Sequence, residues 1–184
     1  MRPWERLSRE VLFTGPTVRF EHDRFRLPDG DEGDYYHVWS PGAVMVVPRD
    51  EEGRIVLVRQ YRYLLGEDSL ELPAGGLKEG RDPLEQARME LEEEAGVTAR
   101  RWKETGRFAS WNGVSNEICR VYRAWDLKRA DARPDRTEEF EVIRATWGEV
   151  ARMVETNEIF DGMTLASIAL ARRWLETGRS FEED

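Results

Sequence analysis

The sequence predicts an α/β/α sandwich around a mixed sheet, preceded by a small antiparallel N-terminal extension. Three observations carry this. Short valine- and isoleucine-rich segments fill the middle of the chain, a capped helix follows a glycine loop, and two apolar-periodic segments come after it. At 184 residues and 40% hydrophobic content the chain can bury one sizeable core. No repeat, low-complexity tract or Pro/Gly-rich linker divides it, so residues 1–40 read as the extension and 41–184 as one α/β domain.

In the extension, Val11-Leu12-Phe13, Val18-Arg19-Phe20, Phe25-Arg26-Leu27 and Tyr35 to Trp39 read as short strands, with a turn at Pro28-Asp29-Gly30. Ala43 to Val47 and Ile55 to Val58 are apolar strands, and the polar turn from Pro48 to Gly53 makes them a predicted hairpin. Next comes the helix. Asp82 can accept from its free N–H groups, Pro83 fits its first position, Glu85 completes a capping-box-like pattern and Gly96 suits the residue after its end. The spacing therefore predicts a helix from Pro83 to Ala95, with Leu84, Ala87, Leu91 and Ala95 as its buried stripe. Arg101 to Ala109 and Glu117 to Trp125 read as strands, followed by a polar loop and Phe140 to Ala145. Thr146-Trp147-Gly148-Glu149 is a capping box opening a helix with Trp147, Val150, Ala151 and Val154 on one face. In a further helix from Met163 to Leu175, Leu165, Ile168, Ala169 and Leu175 share one side and Ala166, Leu170 and Trp174 a second.

The acids of the first helix are misplaced for stability alone. At 100° per residue Glu90 and Glu94 lie side by side at the edge of the buried stripe, with Glu93 nearer solvent. Like charges at this spacing cost about 0.2–0.5 kcal/mol per pair, and the helix end disfavours anions. Hard carboxylate oxygens without thiolate or imidazole partners suit Mg²⁺ or Mn²⁺. His22 and His37 lack metal-ligand spacing, and the single cysteine, Cys119, excludes an intrachain disulfide and reads as a structural strand residue.

The formal charge of −9 argues against a nucleic-acid partner, because phosphate neutralisation needs a basic face. No apolar run is long enough to span a membrane and Met1-Arg2-Pro3-Trp4 begins no signal peptide, so a cytoplasmic enzyme without a membrane partner is expected.

Gly75, Glu90, Leu91, Glu93, Glu94, Gly96 and Val97 resemble the Nudix box, G-x5-E-x7-R-E-U-x-E-E-x-G-U with U aliphatic. Arg81 stands where the box has glutamate and Met89 where it has arginine; in the family those two form an ion pair bracing loop against helix. The resemblance implies Glu90 and Glu94 as metal ligands, Glu93 as a third ligand or water holder, and the carbonyl of Ala74 as an extra oxygen. Val58-Arg59-Gln60-Tyr61-Arg62 and Leu70-Glu71-Leu72-Pro73-Ala74-Gly75 further resemble the ADP-ribose pyrophosphatase branch. There Arg62 would reach substrate phosphate and Glu71 would line the ligand site. A glutamate from a late loop handles the water proton in that branch; Glu138 is favoured here, with Glu141 and Glu139 behind it. Trp111 either stacks on a base or flavin ring or packs its own loop. The branch implies a nucleoside diphosphate derivative as substrate, ADP-ribose first, and a homodimer formed through the extension. The segment Ser110 to Glu117 lacks the proline usual in the branch, so FAD and other ADP-linked compounds stay open, as does a nucleotide sensor with little turnover.

Overall fold

Strands buried on both faces organise the molecule. The structure is a computed structural model and describes residues 2–130 and 139–178. Among these, β1 (Glu5–Thr14), β2 (Arg19–Arg26) and β3 (Glu32–Trp39) form an antiparallel meander in the order β1-β2-β3. The body follows with β4 (Ala43–Pro48), β5 (Ile55–Arg62), β6 (Glu67–Glu71), β7 (Ala74–Gly76), α1 (Pro83–Ala95), β8 (Val97–Ala109), β9 (Ile118–Arg129), β10 (Glu141–Ala145), α2 (Trp147–Glu155) and α3 (Gly162–Thr177).

A mixed sheet runs β7-β4-β9-β8, with β4 and β9 parallel, and an antiparallel sheet runs β10-β5-β6. Alternation along β4 and β5 serves two cores. Val44, Val46, Val56 and Val58 pack with Ala87, Leu91 and Ala95 of α1, whereas Met45, Val47, Ile55 and Leu57 pack with Val150 of α2 and Ile168, Ala171 and Leu175 of α3. Helices therefore cover both faces of the strands, the layering expected from the sequence. No helix of the described residues is long and apolar enough to cross a membrane.

Several expectations change. The hairpin expected from Ala43–Val47 and Ile55–Val58 does not form, because β4 uses its edges for β7 and β9 and β5 uses its edges for β10 and β6; a lone bridge, Arg49 to Ile55, links the two at the turn. The short segments at 18–20 and 25–27 belong to one strand, β2, continued through the polar run Glu21 to Arg24. That run is held by cross-strand pairs, among them Arg9 Nε to Asp23 Oδ1 at 2.7 Å and His22 Nε2 to Asp34 Oδ1 at 2.7 Å. In α3 the buried residues are Thr164, Ser167, Ile168, Ala171, Trp174 and Leu175, while Ala169 and Leu170 face outward.

Candidate active site

The acidic helix is fixed at both ends. Asp82 Oδ1 accepts from Glu85 N at 3.0 Å, Pro83 takes the first position, and Gly96, with φ of 61°, closes the end by donating its N–H to Glu92 O. The buried residues Ala87, Leu91 and Ala95 then fix the helix rotation, which carries Glu90 and Glu94 to the edge facing β7.

β7 is three residues long and owes its position to its neighbours. Met45, Val44 and Ala43 of β4 pair with Ala74, Gly75 and Gly76, Val46 N donates to Pro73 O at 2.8 Å, and Leu72 N donates to Thr164 Oγ1 of α3 at 3.1 Å. Against this strand sit the two carboxylates one helical turn apart. Ala74 N donates to Glu94 Oε2 at 3.0 Å. At Gly75 an added Cβ would lie 1.9 Å from Glu90 Oε1 and 2.2 Å from its Cδ, so the carboxylate occupies the space any other residue would need. Glu94 is buried; Glu90 and Glu93 are half-buried.

Among the described residues no three acidic, histidine or cysteine side chains form a ready-made metal cage. Glu90 and Glu94 beside the Ala74–Gly75 backbone nevertheless fit Mg²⁺, which binds through one or two protein carboxylates and completes its shell with phosphate oxygens and water.

Next to the acids lies a cation. Arg62 at the end of β5 makes a bidentate pair with the buried Glu71 of β6, Nε to Oε1 at 2.8 Å and Nη2 to Oε2. Its pKa is raised, first by the hydrogen bond to Glu71 and further by the charges of Glu71, Glu94 and Asp161, against the opposing effect of burial. A cavity of about 740 Å³ opens here, lined among others by Tyr61, Arg62, Glu71, Glu139, Asp161 and Met163. A larger one, about 990 Å³, lies among Asp50, Arg54, Gly96, Lys128 and Arg144 and contains none of the expected site residues; the chemistry points to the smaller.

The expected residues are thus partly brought together. Glu90, Glu94 and Ala74 meet at one edge, and Arg62 and Glu71 pair beside it. Of the loop glutamates, Glu139 lines the cavity, Glu141 is exposed and pairs with Arg59 at 3.4 Å, and Glu138 lies outside the described residues. Trp111, 64% exposed, sits on the loop between β8 and β9, which docks on β3 through Val38 N to Val114 O at 2.8 Å and Tyr35 Oη to Gly113 O at 2.9 Å. It does not line the cavity beside Arg62. Cys119 is fully buried, and burial pushes its thiol up to about 12, which suits an inert core residue.

Sequence reasoning missed Asp161 and Gln86. Asp161 caps α3 by accepting from Thr164 N at 2.7 Å; an aspartate three residues before a threonine at a helix start was the available signal. Gln86 is buried and donates Nε2 to Glu90 Oε1 at 2.5 Å, an i to i+4 contact legible from spacing alone.

The family model for the NUDIX domain matches residues 39–165. The chain is 32% identical over 164 residues to the ADP-ribose pyrophosphatase of Bacillus subtilis (strain 168), covering 88% of this chain and 89% of that protein. It is 35% identical over 179 residues to the ADP-ribose pyrophosphatase of Mycobacterium tuberculosis, covering 95% and 86%. It is also 33% identical over 164 residues to the methanol dehydrogenase activator of Bacillus methanolicus, covering 88% and 89%. A solved structure described as an ADP compounds hydrolase superposes with a TM-score of 0.85 over 97% of both chains at 19% identity, a likeness of fold.

Proposed function

We propose a substrate, a cofactor and an assembly for this chain, which belongs to the NUDIX family and is a pyrophosphate hydrolase. The substrate is a nucleoside diphosphate derivative, ADP-ribose first, cleaved to AMP and ribose 5-phosphate. The cofactor is Mg²⁺, with Mn²⁺ as a substitute. The observation that carries the reading is the pair Glu90 and Glu94 lodged against the Ala74–Gly75 backbone beside Arg62.

Glu90, Glu94 and the carbonyl of Ala74 would hold the metal, with Glu93 on the same helix as a further oxygen donor or water holder. When bound, Mg²⁺ offsets phosphate charge and lowers the pKa of water in its shell. The protein's own residues do the rest. Arg62 presents a planar fork to phosphate oxygens, exchanging part of its pairing with Glu71 for the substrate. Attack by water forms one P–O bond and breaks the bond to the bridging oxygen, and the water proton passes to a loop glutamate, Glu138 first, with Glu141 and Glu139 as the next candidates. Trp111 stays open between stacking on substrate and packing its own loop. The assembly is a homodimer through the extension, whose Val11, Phe13, Phe20 and Tyr36 are exposed apolar side chains on a short sheet.

Incubating the protein with ADP-ribose, FAD, NADH and dinucleoside polyphosphates, with Mg²⁺ or Mn²⁺, tests this directly. ADP-ribose is expected to yield AMP fastest, and no cleavage of it with either metal sinks the assignment. Glu138→Gln should lower turnover at least about tenfold with little change in ADP-ribose affinity.

A further inference from the structure

We propose that Arg81 and Gln86 form a relay that positions the Glu90 carboxylate for the metal, replacing the ion pair the Nudix box makes between positions 81 and 89. The inference rests on the reading of Glu90 as a metal ligand. Gln86 stands one helical turn before Glu90 on α1 and is 3% exposed. Both ends of its amide are engaged. Nε2 donates to Glu90 Oε1 at 2.5 Å, and Oε1 accepts from Arg81 Nη1 at 3.3 Å. Chemistry fixes this direction, since a guanidinium only donates and a carboxylate only accepts, so the amide must turn its oxygen to Arg81 and its nitrogen to Glu90.

Arg81 makes a second contact. Arg81 Nη1 lies 2.8 Å from Met89 Sδ, so the two residues that depart from the box touch each other, with a thioether where a second charge would stand. The Glu90 carboxylate also abuts Gly75, again most closely through Oε1. Gln86 and Gly75 therefore both bear on Oε1 and limit where the carboxylate can point, against the repulsion of the neighbouring acids.

The relay differs from a direct ion pair in one respect that matters to a metal. A guanidinium hydrogen-bonded to the carboxylate would bring a positive charge that competes with a cation for the same oxygens, whereas the Gln86 amide orients the carboxylate without adding a charge of its own. Arg81 and Gln86 are positioning residues, and neither touches substrate.

Mn²⁺ binding to the nucleotide-free protein, followed by the loss of the free-ion paramagnetic resonance signal, tests the relay without reference to turnover. Gln86→Leu keeps the side chain's bulk and should weaken Mn²⁺ binding at least about tenfold, within the range for partners of metal ligands. Arg81→Leu should weaken it less, and the double variant should be no worse than Gln86→Leu alone, because Arg81 acts through the amide. In turnover, the Mg²⁺ concentration for half-maximal rate should rise more than kcat falls. Should Gln86→Leu fail to fold, Gln86→Asn, one methylene too short to reach Glu90, carries the same expectation. Unchanged Mn²⁺ binding in the folded Gln86 variant, or strictly additive losses in the double variant, overturns the relay. Glu90→Gln separates the two levels: if it leaves Mn²⁺ binding intact the metal reading falls and the relay with it, whereas loss there with none at Gln86 condemns the relay alone.

Discussion

The body and the N-terminal sheet are stabilised by different forces. In the body, β4 and the first half of β5 are buried on both sides and shared between two hydrophobic clusters, so each strand is covered by the chain itself. In the sheet β1-β2-β3 the buried residues are polar, Glu21 and His37, while Trp4, Val11, Phe13, Phe20 and Tyr36 are exposed. Glu21 is held by Arg9 Nη1 and Arg19 Nε at 3.0 Å, and the rim is laced by Arg24 and Arg26 to Glu32. The rim pairs are screened by water and contribute far less than a buried leucine. The candidate site is accordingly built on the body, and the sheet leaves apolar side chains exposed, the surface proposed for the dimer.

The sharpest way to break the comparison is to open the body. Leu91→Ala, at a fully buried position of α1, should destabilise by about 2–5 kcal/mol, read from urea midpoints at unchanged slope. Glu94→Gln should leave the melt nearly unchanged while metal-dependent turnover falls on the order of 10²-fold or more, since one proposed anionic ligand is removed at constant volume. Native circular dichroism with undiminished turnover at limiting and saturating Mg²⁺ would overturn that role. In the sheet, Phe13→Asp should change the mass measured by light scattering from dimer to monomer, with the urea midpoint of the body altered by less than about 0.5 kcal/mol; an unchanged mass removes this surface from the interface.

The smallest effect belongs to the ion pairs. Hydrogen bonding to Arg9 holds the Asp23 carboxyl below its usual range. A depressed carboxylate contributes stability at neutral pH and loses it as pH falls through the carboxylate range, around pH 4 and below. Asp23→Asn should lower stability slightly at pH 7 and flatten the acid limb between roughly pH 5 and pH 3, so that variant and parent converge in acid. An acid limb identical to the parent's would mean the pair adds nothing measurable.

What was legible followed from chemistry that acts locally. Asp82, Pro83 and Gly96 set both ends of α1, and Thr146 with Glu149 forms the reciprocal cap expected for α2, Glu149 N donating to Thr146 Oγ1 at 3.3 Å and Thr146 N to Glu149 Oε2 at 2.7 Å. The placement of Glu90 and Glu94 at the core edge followed from helical period alone. The rest depended on distant partners. β7 is Ala-Gly-Gly, with almost no side chain to signal a strand, and exists because β4 pairs with it. β2 hides behind four polar residues whose pairing partners lie on β1 and β3. Arg62 and Glu71 were each expected at the site, yet they are not partners in the β5–β6 register, where Arg62 faces Glu67 and Glu71 faces Val58, and their side-chain pairing is specified by no local pattern.

The parallel pairing of β4 with β9 also has a consequence for biosynthesis. Ala43 must find Cys119, and the segment between them contains β7, α1 and β8. On the ribosome, at about 5–20 residues per second, β4 therefore waits several seconds with one edge and its valines uncovered before β9 emerges. The acidic helix α1 is made during that interval, before the strand that completes the mixed sheet. Soluble yield should consequently fall when elongation is slowed more steeply than the finished protein's stability would suggest, because the exposed species is a half-made sheet and not the folded protein.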